Sequence, residues 1–542
     1  MNLKKVLLIL QSRQSSSRLP NKCLLPIKKK TLIEIIINRI KSSKYDLVVA
    51  TSSDHSDDLL CNILEKIKIK IFRGSLLDVK KRILELTKNL SDKHIIIRLT
   101  ADNTFPDKKL IIKMLNFFKK EKKEYLFINQ NANNVPYGLS VEIFKLKILR
   151  NLKKNSWLDK EHVTINFPKR HNVFNSNLNI NFNKKKHKCS VDTIKDYFLV
   201  KNFFEKYINS INLNWENLCY IFFKKFYKLK KFFRITKSDK DISSKLIVGT
   251  AQFGDLYGIS NKIQIAKDDI KKIIYFCSKI GLRHYDTARD YKNSEKVFGN
   301  LKLAKEKYLV DTKISNKILL KRGNFDLIFK KSFNESKFFL KEKKINILYI
   351  HNLSENYLFN KKLLDYAVHL KKLNQIKFVG ISISNFKDLE KILNSNLIKK
   401  INIVQVPFNI VDRSIFKNNI INRLKKNKIK IIIRSIFLQG LFFSPKKHWP
   451  KNIRYLHNMM NYKLINFVKK FNRDSVADLM VAFIKSFSFY NKIIVGFNNF
   501  SNFTEFYYYF NKPALKKKEL ALILSEFNNL PKELISPFLW KK

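Results

Sequence analysis

The stretch TKSDKDISSKLIVGT (236–250) decides how this chain is read. Its first nine residues are polar and turn-rich, and the six that follow form an apolar run ending in Gly249-Thr250. A segment of that kind between two regions with their own apolar periodicity is where a linker is expected. The reading is therefore a first domain over 1–235, a linker at 236–244 and a second domain over 245–542. At 542 residues the chain is too long for one ordinary core, which agrees with two.

Downstream of the linker the strand candidates can be counted: KLIVGT (245–250), LRHYDTA (282–288), KYLVDTK (307–313), INILYIHN (345–352), FVGISIS (378–384), INIVQVPFN (401–409), KIIIRSIF (430–437) and KIIVGF (492–497). An amphipathic stretch of helical length follows each of the first seven. Eight such β-then-α units are the arithmetic of a (β/α)8 TIM barrel, with a doubly wound open sheet as the competing arrangement. Upstream, KVLLIL (5–10), YDLVVAT (45–51) and HIIIRLTAD (94–102) alternate with helix-like segments such as LIEIIINRIKS (32–42). That alternation predicts an α/β domain on a parallel or mixed sheet, closed by the Phe-, Tyr- and Lys-rich segment 201–235.

The net charge of +64 first suggests a polyanionic partner. The excess is 91 lysines against 17 arginines, spread through every segment with no basic, aromatic-interleaved patch. Such a distribution is compositional drift and speaks against nucleic acid. Five dispersed cysteines, with no CxxC or Cys/His spacing, indicate neither a disulfide framework nor a zinc site. No run of about eighteen uncharged apolar residues occurs, and the first apolar run leads into arginines rather than a cleavage site. The expectation is a cytoplasmic protein without membrane insertion.

The segment RQSSSRLPNK (13–22) leaves the first strand at the edge of the sheet where open α/β folds bind ligands. Arg13 and Arg18 offer forked donors there and Lys22 a point charge, a set suited to polyphosphate. These residues resemble the nucleotide loop RxGSxRLPxK of sugar nucleotidyltransferases, especially cytidylyltransferases of the acylneuraminate and spore-coat-polysaccharide type. Four more segments follow in the family's order: RLTADNTFPD (98–107), PYGLSVEIF (136–144), DKEHVTINF (159–167) and CSVDTIKDY (189–197). The resemblance implies a nucleoside triphosphate, CTP in this family, and a sugar whose hydroxyl attacks the α-phosphate. It implies Mg²⁺ held by Asp102 and Asp192, which are hard oxygen donors. Arg13, Arg18 and Lys22 would stabilise the departing pyrophosphate. Ser15 and Asn21 stand where the family has glycine; Asn tolerates a left-handed backbone, and Ser15 carries a Cβ toward the place where phosphate or base should approach closely.

In the second domain Asp286 and Tyr291 (YDTARDYKNSE, 285–295), Lys313 (VDTKIS, 310–315) and His351 (LYIHN, 348–352) fall at or just past the ends of successive strands. That end of a barrel carries the chemistry. With IVGTAQFGDLYG (247–258), VQVPFN (404–409) and RSIFLQGLFF (434–443), the set resembles the aldo/keto reductase family. The resemblance implies NADP or NAD and a carbonyl substrate, with Tyr291 as proton donor. Lys313, hydrogen-bonded to Tyr291 and balanced by Asp286, would lower the tyrosine's pKa, and His351 would orient the carbonyl. Ser382 and Gln405 would hold the carboxamide, Ser435 through Gly440 the pyrophosphate, and Gly496 the last phosphate. The aromatic residue that usually stacks on the nicotinamide is here Arg434, Lys292 replaces a frequent glycine, and no basic residue follows Gly496. The sequence thus reads as a fusion of two sugar-modifying enzymes for surface glycans. The alternative is an active cytidylyltransferase carrying a non-catalytic barrel as a binding or scaffolding module. Oligomeric state is not legible.

Overall fold

The computed structural model describes residues 4–128, 135–152, 163–167, 173–174, 188–226, 235–259, 263–303, 306–315, 324–353 and 356–541. Residues 159–162 of the fourth transferase-like segment lie outside them. The chain separates into two compact units, Met1–Thr236 and Lys237–Lys542.

The first unit is built on β1 (Val6–Gln11), β2 (Asp46–Ser52), β3 (Lys70–Gly74), β4 (Ile95–Thr100), β5 (Tyr125–Phe127) and β6 (Glu142–Lys145). Their order across the sheet is β3-β2-β1-β4-β6-β5. The first four run parallel, and β6 lies antiparallel to both β4 and β5. Val6–Leu10 is apolar throughout because both faces of a central parallel strand are covered. One face packs Leu7, Ile9, Val48, Ile96 and Phe144 into a continuous core. The closing aromatics gather on Phe105, whose ring meets Phe222 edge-on at 5.0 Å. The second motif, RLTADNTFPD, thereby anchors the end of the domain.

The second unit closes β7 (Leu246–Gly249), β8 (His284–Asp286), β9 (Leu309–Ser315), β10 (Ile345–His351), β11 (Ile376–Ser382), β12 (Ile403–Pro407), β13 (Lys430–Arg434) and β14 (Lys492–Gly496) into an eight-stranded barrel. Every neighbouring pair is parallel, β14 closing on β7. Ile247, Ile347, Tyr349, Ile403, Ile432 and Ile494 fill the interior, leaving no place for the open-sheet alternative.

The linker expectation is corrected. Residues Lys237–Lys245 form a helix that belongs to the second unit. Its composition is poor for a helix, but the Tyr507 hydroxyl donates to Asp239 Oδ1 at 2.6 Å and Ile242 is buried. Tertiary partners outweigh propensity here. Among the described residues, no helix is long and apolar enough to cross a membrane.

Candidate active sites

In the first unit, β1 ends at Gln11 and the loop 12–22 turns back over the sheet edge. Asp57, fully buried, fixes it: the carboxylate accepts from Gln14 N at 2.7 Å, Thr51 Oγ1 at 2.8 Å, Ser52 N at 2.9 Å and the Ser52 hydroxyl. The Gln14 carbonyl accepts from Ser16 N and Asn21 N, and Asn21 takes the left-handed conformation (φ 55°). That is the one strained backbone position of the loop, and Asn suits it. Ser15 is exposed and is not among the residues with positive φ, so its backbone does not require glycine.

The two metal-ligand candidates are brought together by pairing between distant segments. Asn103 and Ser190 form an isolated β-bridge, Val191 N donates to the Asp102 carbonyl at 2.9 Å, and Thr104 Oγ1 donates to the Cys189 carbonyl at 2.8 Å. Gly138 packs on the same segment; its φ is +97°, and a Cβ there would stand 2.6 Å from Ser190 N. Asp192 is held just ahead of the helix Ile194–Lys206 by a capping box in which Thr193 and Asp196 answer each other. The motif VDTIKD is thus partly a helix-start device.

Lys22 Nζ lies 2.8 Å from Asp102 Oδ2 and 3.6 Å from Asp192 Oδ1. Arg18 Nη2 meets Asp192 Oδ1 at 3.3 Å, and Lys188 Nζ meets Asp192 Oδ2 at 2.9 Å and Asp196 Oδ2 at 2.7 Å. Burial pushes the Asp192 carboxyl up, but Lys188 and Lys22 outweigh it and hold the group below the ordinary aspartate value. Burial likewise pulls the Lys22 ammonium down, while Asp102, with Cys23 and Asp192 behind it, holds it above the usual lysine value. The charge of Arg13, in the same loop, is felt by the buried Arg82. Among the described residues, no cluster of three or more His, Cys, Asp or Glu could hold a metal. Two carboxylates beside the basic loop nevertheless fit Mg²⁺, which takes one or two protein oxygens and completes its shell with other ligands.

In the barrel, Lys313 and Asp286 are buried side by side, Nζ to Oδ2 at 2.5 Å, and Lys313 also donates to the Thr287 carbonyl at 2.7 Å. Gln405 Nε2 donates to Asp286 Oδ1 at 2.9 Å and Ser382 Oγ donates to Gln405 Oε1 at 2.8 Å. The residues expected on a carboxamide therefore continue an internal chain, Ser382–Gln405–Asp286–Lys313.

The expected Lys313–Tyr291 hydrogen bond is corrected. The ammonium lies 5.1 Å from the Tyr291 ring centroid and is committed to Asp286 and Thr287. Burial, followed by the Asp286 charge, pushes the Tyr291 hydroxyl well above the ordinary phenol value, with Arg434 opposing. Tyr291 is accordingly a protonated acid in this state. His351 packs edge-on to it, centroids 5.9 Å apart, with Nδ1 3.1 Å from Asp290 Oδ2. Desolvation pulls the imidazole below its ordinary value against the Asp290 contact, so the ring is neutral at pH 7.

Lys292 has φ 44°, the left-handed backbone that accounts for glycine at such a position, and its ammonium pairs with Asp255 at 2.6 Å. Ser435, Leu438, Gln439 and Gly440 are all left-handed, and the place where a Gly440 Cβ would sit is open for 4 Å. An open, glycine-lined turn at the barrel mouth fits the approach of a phosphate. Gly496 has a different reason: a Cβ there would lie 2.2 Å from Gln252 Oε1. Sequence reading missed Asp57, Lys188 and Asp290. Two of them are ordinary loop acids, and a single lysine among 91 carries no local signal.

The aldo/keto reductase family model matches residues 245–525, and the cytidylyltransferase model matches residues 7–237. The spore coat polysaccharide biosynthesis protein SpsF of Bacillus subtilis (strain 168) is 30% identical over 216 residues, 37% of this chain and 87% of that protein. A solved cytidylyltransferase from Leptospira borgpetersenii serovar Hardjo-bovis is 28% identical, covering 41% of this chain and 94% of its own, with a TM-score of 0.37. A solved aldo-keto reductase from Bacillus halodurans is 16% identical, covering 52% and 91%, with a TM-score of 0.42. The chain belongs to the aldo/keto reductase family through its barrel, and joins to it, at the amino-terminal end, a cytidylyltransferase domain.

Proposed function

We propose that the first domain transfers CMP from CTP to a sugar and that the barrel reduces a carbonyl compound with NADPH or NADH, both in the cytoplasm and in the service of surface-glycan synthesis. The convergence of Asp102 and Asp192 on one lysine ammonium carries the first half. The relative named for spore coat polysaccharide biosynthesis supports the pathway. A sugar hydroxyl oxygen bonds to the α-phosphorus and gives its proton to solvent, the bond from the α-phosphorus to the bridging oxygen breaks, and pyrophosphate leaves with that oxygen. Mg²⁺ on Asp102 and Asp192 would supply charge neutralisation at the phosphates. Arg18, Lys22 and Lys188 set three cations around the leaving group's negative charge, and Arg13 adds a fourth from the loop.

In the barrel, Tyr291 gives its hydroxyl proton to the carbonyl oxygen as the carbon accepts hydride, which the nicotinamide supplies when bound. Ser435 through Gly440 would hold the cofactor's pyrophosphate, while Ser382 and Gln405 keep Asp286 and Lys313 in register. His351 orients the substrate beside Tyr291. Arg434 and Lys292 favour a second reading, in which the barrel binds without reducing.

Pyrophosphate release by the whole chain with Mg²⁺, tested with CTP, UTP, GTP and ATP against a panel of neutral and acidic sugars, checks the transferase. Release with CTP and one sugar, abolished by Asp102→Ala, is the expected result; silence with every pair sinks it. Binding of NADPH or NADH, read from the change in nucleotide fluorescence, is expected of the reductase; failure to bind either cofactor favours the non-catalytic barrel.

A further inference from the structure

The mouth of the barrel carries four cationic side chains and the neutral imidazole of His351, each with defined surroundings. Lys313 is paired with Asp286, His351 faces Asp290, Lys292 is paired with Asp255, and Arg289 is shared by Glu295 and Glu335. Arg434, half-buried at the carboxyl end of β13, is the exception. Its Nη2 donates to the Ile383 carbonyl at 2.9 Å and to Ser384 Oγ at 3.2 Å, and its Nη1 donates to Ser435 Oγ at 3.0 Å. All three acceptors are neutral, and among the described residues no carboxylate forms an ion pair with it.

The side chain reaches from β13 across β12 to the residues that follow β11. Ile383 and Ser384 succeed Ser382, whose hydroxyl begins the chain to Asp286 and Lys313. Ser384 Oγ in turn donates to Asn352 Oδ1 at 2.9 Å, next to His351. The guanidinium is thus fixed at the mouth, over the elements that carry the acid and the imidazole. Tyr291, Lys313 and His351 all feel its charge, which places it beside them. Asp412 feels it too, but that carboxylate is buried and turned to Ser414 N. A half-dehydrated guanidinium without a counter-ion is costly unless the ligand brings one.

We infer that Arg434 is the binding group for an anionic substituent on the barrel's substrate, a carboxylate or phosphate a few bonds from the carbonyl carbon that is reduced. This rests on the reductase reading and narrows it: neutral carbonyl compounds are poor substrates. Arg434 fits a planar carboxylate or a phosphate through its remaining N–H donors, which a lysine would not reproduce.

The test compares phenylglyoxylate with its methyl ester as substrates of the whole chain and of Arg434→Gln and Arg434→Lys, following loss of reduced nicotinamide. The acid is expected to have the lower KM. In Arg434→Gln its KM rises roughly ten- to hundredfold, with kcat little changed, the ester is unaffected, and Arg434→Lys recovers part of the loss. Equal use of acid and ester, or a variant that loses kcat at unchanged KM, overturns the assignment while leaving the reductase intact. Should neither compound be turned over, the reductase reading fails on its own, and calorimetric titration with oxamate and with inorganic phosphate still decides the anion site. Affinity lost in Arg434→Gln but kept in Lys361→Gln, a control at an exposed lysine on the helix Tyr357–Lys372, upholds it, the better-bound anion distinguishing carboxylate from phosphate. Affinity equal in all three proteins overturns it.

Discussion

Lys313 and Asp286 have no water to fall back on, so each depends on the other. Replacing the ammonium in Lys313→Met leaves a buried carboxylate whose remaining partner is the Gln405 amide. The expected loss is about 3–5 kcal/mol, read from denaturant unfolding of the barrel, and the double variant Lys313→Met, Asp286→Leu should be milder than the single one. An equal loss in both would show that packing, not charge, holds the pair. His351 sets a pH dependence of known sign. Its folded pKa lies below the ordinary value near 6.5, so below that pH the unfolded chain takes up a proton that the folded ring refuses. Stability should therefore fall as pH drops from about 6.5 through the depressed value. His351→Gln should flatten that limb in melting temperatures measured between pH 7 and pH 5. At this scale the sequence grouped side chains that the fold brings close, Asp102 and Asp192 around Lys22 and Asp286 beside Lys313. What it assigned wrongly was a bond, Lys313 to Tyr291, because spacing along strands fixes which side chains share a mouth but not which atoms meet.

The loop after β1 is held as an element by a carboxylate outside it. Asp57→Ala would strand the Gln14 and Ser52 N–H groups and the two hydroxyls now directed at it. A cost of about 2–3 kcal/mol and a CTP affinity reduced by roughly tenfold are expected, measured by thermal melting and nucleotide titration. Asp57→Asn, which keeps one acceptor, should lose less. If CTP binds the alanine variant normally, the loop is ordered by something else. Elements that the sequence states locally formed as read: three strands of the first sheet and the eight of the barrel announce themselves by apolar runs, whereas β3, β5 and β6 carry no such run and were not read. The segment 237–245 did not, because its helix is stabilised by a tyrosine 268 residues downstream and no local pattern records that partner. The capping box of Thr193 and Asp196 lies between, visible as T-x-x-D yet first read only as part of a binding motif.

For the whole molecule, a net charge of +64 means repulsion that folding must overcome. Raising NaCl from 50 to 500 mM should screen it and lift the melting temperature by about 2–4 °C, the equivalent of ~1 kcal/mol. A fall would show that surface ion pairs dominate instead. By itself the sequence determined the two-part organisation, the barrel count and the family motifs, since each is written in runs of neighbouring residues whose period of two or 3.6 is a local property. Tertiary structure alone decided that Lys188 joins Lys22 at Asp192, that Asp57 secures the loop after β1 and that, among the described residues, no carboxylate pairs with Arg434. Those are facts about distances of a few ångströms between residues tens to hundreds apart in the chain, and Coulomb and hydrogen-bond energies depend on that distance and not on sequence separation.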